Sequence, residues 1–217
     1  MRGLRNCTAA FSFALAASPA PVVADPLTLV ALGDSLTQGY GLPLDDGFVP
    51  QLQAWLTAQG VEVQVVNAGV SGDTTAGGRA RIDWTLTDDV DALIVALGGN
   101  DLLRGIDPGT SRANLEAILT AAGARDLPVL LVGMQAPGNY GPAYKAAFDA
   151  MYPDLSAAYG TLLADSFFGP LLANGDDPAA LRAFMQPDGI HPNAEGVARI
   201  VEGLGPMVLD LLGRVAP

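Results

Sequence analysis

The chain has 217 residues, of which 11 are basic and 23 acidic, giving a net charge of −12 at pH 7. Its length favours a single domain with one sizeable hydrophobic core. The excess of negative charge argues against nucleic acid as a partner, because such a surface repels phosphates. With one histidine and one cysteine, the chain lacks the ligands of a typical structural or catalytic zinc site, and we expect no metal.

Residues 1–24 have the pattern of a signal peptide. Arg2 and Arg5 precede the apolar stretch AAFSFALAA, and the small-residue ending VVA follows. The apolar stretch is much shorter than the roughly 20 residues that a transmembrane helix needs. We therefore expect an exported protein, periplasmic or secreted, with a single mature domain over 25–217 and no integral membrane span. Removal of the leader would also remove Cys7 and would leave a net charge of −14, from nine basic and 23 acidic residues.

Short apolar runs alternate with longer amphipathic segments along the rest of the chain. The runs are rich in β-branched residues and are bounded by Gly, Asn or Asp, which predicts strands at 27–32, 61–66, 92–97, 129–134 and 161–165. Helical spacing of apolar residues predicts helices between Asp46 and Gly60, at 74–87, 111–125 and 143–159, and from about Asn193 onward. Pro206 should kink or interrupt the last helix.

This alternation predicts an α/β fold, because parallel strands need crossover connections and these are usually helices. We expect a three-layer α/β/α domain with about five parallel strands in the flavodoxin-like order 2-1-3-4-5. In such sheets, ligands bind outside the carboxyl ends of the strands, where the strand order reverses. The segments that follow the first three strands should therefore line one crevice.

A serine, a carboxylate and the only histidine could form a hydrolytic site. Ser35 follows the first strand in ALGDSLTQGYG, and His191 lies three residues after Asp188 in PDGIHPN. A serine hydroxyl becomes a good nucleophile only when a base takes its proton, and the base needs a third group to orient it. The short spacing would let the Asp188 carboxylate accept a hydrogen bond from Nδ1 of His191 and leave Nε2 facing a nucleophile.

Acyl transfer also needs hydrogen-bond donors where the carbonyl oxygen becomes an anion. Three candidates follow neighbouring strands: the backbone N–H of Ser35, the backbone N–H of Gly69, which has no side chain in the way, and the side-chain amide of Asn100. Taken singly, each of these motifs is also typical of an ordinary turn. Their joint placement at adjacent strand ends favours an oxyanion hole.

A further serine, Ser71, lies in GVSGD and could be mistaken for a nucleophile. Its surroundings lack the G-x-S-x-G spacing of a nucleophile elbow. We expect a structural role for it.

Four blocks together resemble the GDSL or SGNH hydrolase family. ALGDSLTQGYG, NAGVSGDTT, GGNDLLRG and DGIHPN occur in the order of the family's motifs and extend over 27–200, nearly the whole mature chain. The resemblance implies that Ser35 is the nucleophile, that His191 is the general base and later the acid, and that Asp188 orients the histidine. It also implies an oxyanion hole, formed by the N–H groups of Ser35 and Gly69 and by the amide of Asn100.

The same resemblance assigns Asp34 and Asp101 to structural support of the loops. It implies hydrolysis of carboxylic esters and thioesters through an acyl-enzyme, of the arylesterase, thioesterase or lysophospholipase type, with no cofactor. The expected partner is a small-molecule ester, thioester or lysophospholipid, and we expect a monomer.

Apolar residues on two loops are candidates for substrate binding. These are Leu102, Leu103 and Ile106 after the third strand, and Met134, Pro137 and Tyr140 at the end of the fourth. Either they line an apolar acyl groove beside the serine or they pack into the core. If they line the groove, we expect the loop 102–108 to move when substrate binds.

Two other functions remain open at this point. The predicted strand order is also that of flavodoxins, in which a Ser/Thr-rich loop after the first strand binds phosphate, and SLTQG superficially fits that role. A flavin-binding protein would need neither His191 nor Asn100, and it would absorb light in the flavin bands. The second alternative keeps the hydrolase family but removes acetyl groups from a polysaccharide.

Overall fold

A computed structural model describes residues 26–172 and 181–215 of the protein. The predicted signal peptide lies outside the described residues. Within them, no helix is both long enough and apolar enough to cross a bilayer.

The described residues contain one five-stranded parallel sheet in the order β2-β1-β3-β4-β5, which confirms the predicted topology. Helices cover both faces of the sheet, so its central strands are almost wholly apolar, and all five residues of β3 are buried. The strands are β1 (Leu27–Gly33), β2 (Val63–Gly69), β3 (Ala92–Ala96), β4 (Val129–Val132) and β5 (Leu162–Ala164).

Helices form the two outer layers and confirm the three-layer α/β/α prediction. The helices are α1 (Ser35–Gln38), α2 (Phe48–Ala58), α3 (Thr75–Thr85), α4 (Gly99–Leu103), α5 (Pro108–Gly123), α6 (Pro142–Tyr159), α7 (Gly169–Leu172) and α8 (Ala194–Leu212), with 3₁₀ turns at Leu44–Asp46 and Gly138–Tyr140. Helices α2 and α7 pack against α8, whereas α3, α5 and α6 pack in succession against one another. The sheet lies between these two groups.

The region predicted as the mobile loop 102–108 joins two helices and includes the end of one and the start of the other. Leu102 and Leu103 belong to α4, and Pro108 is the first residue of α5. Asp107 caps α5, because its side chain accepts a hydrogen bond from the N–H of Thr110 at 3.2 Å. Proline at the first position of a helix loses no backbone hydrogen bond, so the helix starts earlier than the predicted 111.

Pro206 does not interrupt the last helix, contrary to one of the predicted outcomes, since α8 runs from Ala194 to Leu212. The proline cannot donate to the carbonyl of Glu202. Both residues lie on the exposed face of α8. The opposite face of the helix is buried against the core, and this packing keeps the helix continuous.

Candidate active site

The turn after β1 places Ser35 at the carboxyl end of the sheet, as the first residue of α1. Asp34 caps this short helix, because its Oδ1 accepts a hydrogen bond from the N–H of Leu36 at 3.0 Å. The turn is tight: a Cβ on Gly33 would collide with the Thr37 hydroxyl. The chain thus passes from β1 into α1 within two residues. Gly33 allows the close approach, and Asp34 caps the helix that Ser35 begins.

Ser35, His191 and Asp188 form a continuous series of hydrogen bonds. Nε2 of His191 lies 2.9 Å from Oγ of Ser35, and its Nδ1 lies 2.6 Å from Oδ2 of Asp188. The other carboxylate oxygen, Oδ1, accepts the backbone N–H groups of Ile190 at 2.9 Å and His191 at 3.0 Å. The hydrogen bond from the His191 ring, followed by these two backbone donors, lowers the pKa of Asp188 to about 2. The carboxylate is therefore ionised at neutral pH.

Asn100 lies on α4, above the end of β3, and faces the same space as Ser35. Its amide nitrogen donates one hydrogen bond to Oδ2 of Asp34 at 3.2 Å, which leaves its second N–H for another acceptor. The Asp34 side chain is only 2% exposed. This burial raises its pKa to about 6, against the opposing effect of the hydrogen bonds from Leu36 and Asn100.

Asp101 is fully buried and points away from Ser35 into the contact between α3, α4 and α5. Its carboxylate accepts the N–H and the hydroxyl of Thr75, at 2.8 and 2.5 Å, and the hydroxyl of Ser111 at 2.7 Å. Three donors compensate for the loss of water around this charge. The residue next to Asn100 thus anchors α4.

Gly69 is not brought into the space around Ser35. It is the last residue of β2, and its N–H is already used, donating to Oδ1 of Asn67 at 2.9 Å. A Cβ on Gly69 would lie 2.9 Å from the carbonyl oxygen of Asp34 and would collide with the backbone of Gln38. Glycine is needed here so that α1 can pack closely on β2, which corrects the predicted role of its N–H as an oxyanion donor.

Gly72, three residues further on, lines the cavity beside Ser35. Its φ of +82° lies in the left-handed region that favours glycine, and its carbonyl accepts a hydrogen bond from Nη2 of Arg104 at 2.9 Å. Its neighbour Ser71 also lines the cavity, but the Ser71 hydroxyl donates to Oε1 of Gln38 at 2.5 Å. The GVSGD turn therefore presents a glycine backbone to the site, and the serine hydroxyl is engaged with α1.

An open cavity of about 710 Å³ contains the Ser35–His191 pair. Four of the six predicted substrate residues line it, namely Leu102, Leu103, Met134 and Pro137. The sequence did not single out other lining residues, which come from the segments after α1 and β5 and from the loop before α8. These are Tyr40, Phe168, Met185 and Ile190. Most of the lining is apolar.

Ile106 and Tyr140, the other two predicted substrate residues, are not among the described residues that line this cavity. The carbonyl of Ile106 accepts the hydroxyl of Tyr144 at 2.9 Å, and the ring of Tyr140 packs at 5.0 Å from the ring of Tyr144. Both residues thus contact Tyr144 on α6. In residues 26–172 and 181–215, no group of three His, Cys, Asp or Glu side chains is arranged to hold a metal.

Comparison with known proteins gives the family of the chain. Residues 31–199 match the model of the GDSL-like lipase/acylhydrolase family. The chain is 39% identical over 186 residues to "Esterase TesA" of Pseudomonas aeruginosa, covering 85% of this chain and 89% of that protein. It is 35% identical over 188 residues to "Thioesterase 1/protease 1/lysophospholipase L1" of Escherichia coli K12, covering 85% of each.

The solved structures include a psychrotrophic esterase, EstA, from Pseudoalteromonas, inhibited by monoethylphosphonate. It superposes with a TM-score of 0.77 at 28% identity and covers 86% of this chain and 99% of that chain. Sequence, topology and site geometry lead to the same assignment: this chain belongs to the GDSL-like lipase/acylhydrolase family and is a GDSL-type hydrolase.

Proposed function

We propose that the protein is a serine esterase that hydrolyses carboxylic esters and thioesters through an acyl-enzyme on Ser35. The observation that carries this proposal is the hydrogen-bonded series from Asp188 through His191 to Ser35, at the wall of a mostly apolar cavity. A base 2.9 Å from the hydroxyl is within reach of the proton that it must remove.

In the acylation step, Oγ of Ser35 attacks the carbonyl carbon of the ester while Nε2 of His191 takes the hydroxyl proton. The imidazolium then gives that proton to the departing alcohol or thiol, and the acyl group stays on Oγ. The ionised carboxylate of Asp188 stabilises the imidazolium and holds Nδ1 protonated. In deacylation, water attacks the acyl carbon while His191 removes its proton, and the bond to Oγ then breaks as the imidazolium returns the proton to Ser35 and the carboxylic acid leaves.

Three donors would stabilise the oxyanion: the N–H groups of Ser35 and Gly72 and the free N–H of the Asn100 amide. Neither backbone N–H has an acceptor among the residues that the structure describes. The first donor starts α1, the second lies in the GVSGD turn and the third is on α4. One such donor is typically worth about 10²- to 10³-fold in rate.

The cavity supports an acyl substrate over a polysaccharide. Its apolar wall, which includes Met134 and Phe168, suits an acyl chain or an aromatic group. A sugar polymer would need more hydrogen-bonding groups along the walls. We propose a small-molecule ester, thioester or lysophospholipid as substrate, acted on outside the cytoplasm after removal of the leader.

A fluorophosphonate tests the proposal directly, because it phosphonylates a serine that has been activated by a base. Peptide mass spectrometry should find the adduct on Ser35 and the enzyme should lose its activity on a nitrophenyl ester. The Ser71→Ala variant, which changes a second serine of the same cavity, should be labelled and inactivated like the wild type. An adduct on Ser71, or full esterase activity in Ser35→Ala, would refute the mechanism.

A further inference from the structure

The base reaches Ser35 from a part of the chain that is not in the sheet. His191 lies on the segment 186–192, called here the base loop, between the end of the sheet and α8. Residues 187–190 of this loop are all exposed, so core packing does not hold them. Something else must keep Nε2 of His191 within 2.9 Å of Ser35 Oγ.

The side chain of Gln186 bridges the two parts of the site. Its amide nitrogen donates to the carbonyl of Tyr40 at 2.8 Å, on the segment that follows α1, and to the carbonyl of Pro192 at 3.0 Å, at the end of the base loop. Its backbone N–H donates to the carbonyl of His191 at 2.7 Å. One residue thus binds both ends of the loop and also the segment next to the nucleophile, 146 residues away in sequence.

These contacts complete a closed cycle of hydrogen-bonded residues that includes Ser35 and His191. The N–H of Tyr40 donates to the carbonyl of Ser35 at 3.1 Å. The cycle of hydrogen bonds therefore runs from Ser35 through Tyr40 and Gln186 to His191 and back to Ser35. The Tyr40 ring also packs at 4.8 Å from the imidazole. Gly41, with a φ of +76°, lies against the other end of the amide, where a Cβ would collide with Oε1 of Gln186.

We infer that Gln186 is a positioning residue for the base: its amide sets the distance and angle between His191 Nε2 and Ser35 Oγ. This inference rests on the proposed function of those two residues. Displacing a reacting group by about 1 Å can cost about 10²-fold in rate. Loss of the bridge should therefore lower kcat, whereas KM should change little, because most of the cavity wall comes from other segments.

The chain offers a closely matched control. The amide of Gln51 also donates to two carbonyls, those of Asp46 at 2.8 Å and Ala194 at 3.1 Å, and also joins segments far apart in sequence. It touches neither reacting group. In Gln186→Met we expect kcat to fall by about 10- to 100-fold with KM within about threefold, and the rate of phosphonylation of Ser35 should fall by a similar factor. Gln51→Met should keep kcat within about twofold.

Two further variants separate the possible outcomes. Gln186→Asn keeps both donors on a shorter side chain, so it should show a smaller loss of kcat and provides the test if the methionine variant does not fold. Wild-type kcat in folded Gln186→Met, or in Gln186→Asn where the methionine variant does not fold, with Ser35→Ala inactive, would overturn the inference and leave the proposed function standing. Activity retained in Ser35→Ala would overturn the proposed function itself.

Discussion

Asp34 and Asp188 flank the Ser35–His191 pair, one on the sheet and the other on the base loop, and their surroundings are opposite. Asp34 is 2% exposed and burial raises its pKa to about 6. The Asp188 side chain is 37% exposed, and three hydrogen-bond donors lower its pKa to about 2. Core packing thus fixes the turn that carries Ser35 and disfavours the ionised form of Asp34, whereas local hydrogen bonds near the surface fix His191 and favour the ionised form of Asp188.

The part of the site that follows the strands, called here the sheet side, is also held by buried hydrogen bonds. Asp101, buried between three helices with Thr75 and Ser111 as donors, anchors α4, and α4 carries Asn100. The base loop is held by its own turn, by the bridge from Gln186, by the pairing of Met185 with Pro192 and by the Tyr40 ring against the imidazole. Substitutions on the loop should therefore change the rate of reaction with little change in stability, and substitutions of buried acids on the sheet side should change stability as well.

Removal of the base should have the largest effect. In His191→Ala, kcat on a nitrophenyl ester should fall by about 10⁴-fold or more, because the variant lacks the nitrogen that is hydrogen-bonded to Oγ of Ser35. The free energy of unfolding, from urea titration, should stay close to that of the wild type. A fall of less than about tenfold would mean that another group acts as the base.

Asp188→Asn should have the next largest effect, about 10²- to 10⁴-fold in kcat. The amide oxygen can still accept the backbone N–H groups of Ile190 and His191, so the loop keeps its shape. It cannot stabilise an imidazolium, however, and its NH₂ group favours the wrong tautomer. Asp154→Asn, at an exposed acid paired with Arg112 far from the cavity in the fold, is the control and should leave kcat unchanged. Equal activity in the two variants would remove Asp188 from the mechanism.

On the sheet side, Asn100→Ala should lower kcat by about 10²- to 10³-fold, because it removes one of the three proposed oxyanion donors. KM should change little if the amide acts only when negative charge develops on the carbonyl oxygen. Steady-state kinetics with esters of two chain lengths would measure both constants. A rise in KM at constant kcat would show instead that Asn100 binds the ground state of the substrate.

The pH dependence of the free energy of unfolding tests whether burial acts on Asp34 as described above. Its pKa in the folded state, about 6, lies above the usual 3.8, so the native protein binds more protons between these values. The stabilisation from its protonation is present below pH 3.8 and is lost as the pH rises through 6; the difference in pKa corresponds to about 3 kcal/mol. Relative to Asp34→Asn, the wild type should thus lose free energy of unfolding as the pH rises from 4 to 7.

Asp188 should behave in the opposite sense. Its stabilising hydrogen bonds to the carboxylate are present above pH 3.8 and are lost as the pH falls through 2. The wild type should therefore lose stability relative to Asp188→Asn only in acid. Urea unfolding at a series of pH values measures both differences. A difference of the same sign for the two acids would contradict the assignment of burial to one and of hydrogen bonding to the other.

The sequence predicts the sheet well because its central strands are buried on both faces and therefore read as short apolar runs. It misplaces the end of β2, since Asn67 and Gly69 carry no apolar signal; they belong to the strand because they pair with β1, where Gly33 lies opposite Gly69. With a strand predicted to end three residues early, Gly69 falls in the turn that follows, whereas in the structure that turn holds Gly72. A glycine that ends a strand and one that starts the next turn look alike in sequence.

The hydrogen-bonded series of Ser35, His191 and Asp188 was easier to predict from the sequence than the residues that support it. The chain has one histidine, and an aspartate three residues before it, so the choice was narrow. Nothing in the sequence marks Gln186, whose acceptor Tyr40 is remote in the chain and uses only its backbone. The cavity lining after β5 was missed for a similar reason, because it depends on how the end of the sheet and the base loop come together.

The smallest predicted effect concerns Thr37, directly beneath Ser35. Its side chain is buried, and its hydroxyl has no hydrogen-bond partner within the described part of the chain. Thr37→Val keeps the shape and removes an unpaired polar group, so the free energy of unfolding should rise by about 1 kcal/mol, with kcat within about twofold. Thr161→Val, at a second such hydroxyl far from the site in the fold, should give a similar gain. Urea unfolding of both variants checks this. A loss of stability only in Thr37→Val would mean that the turn holding the nucleophile depends on this hydroxyl, and that the sheet side, like the base loop, relies on a specific polar contact.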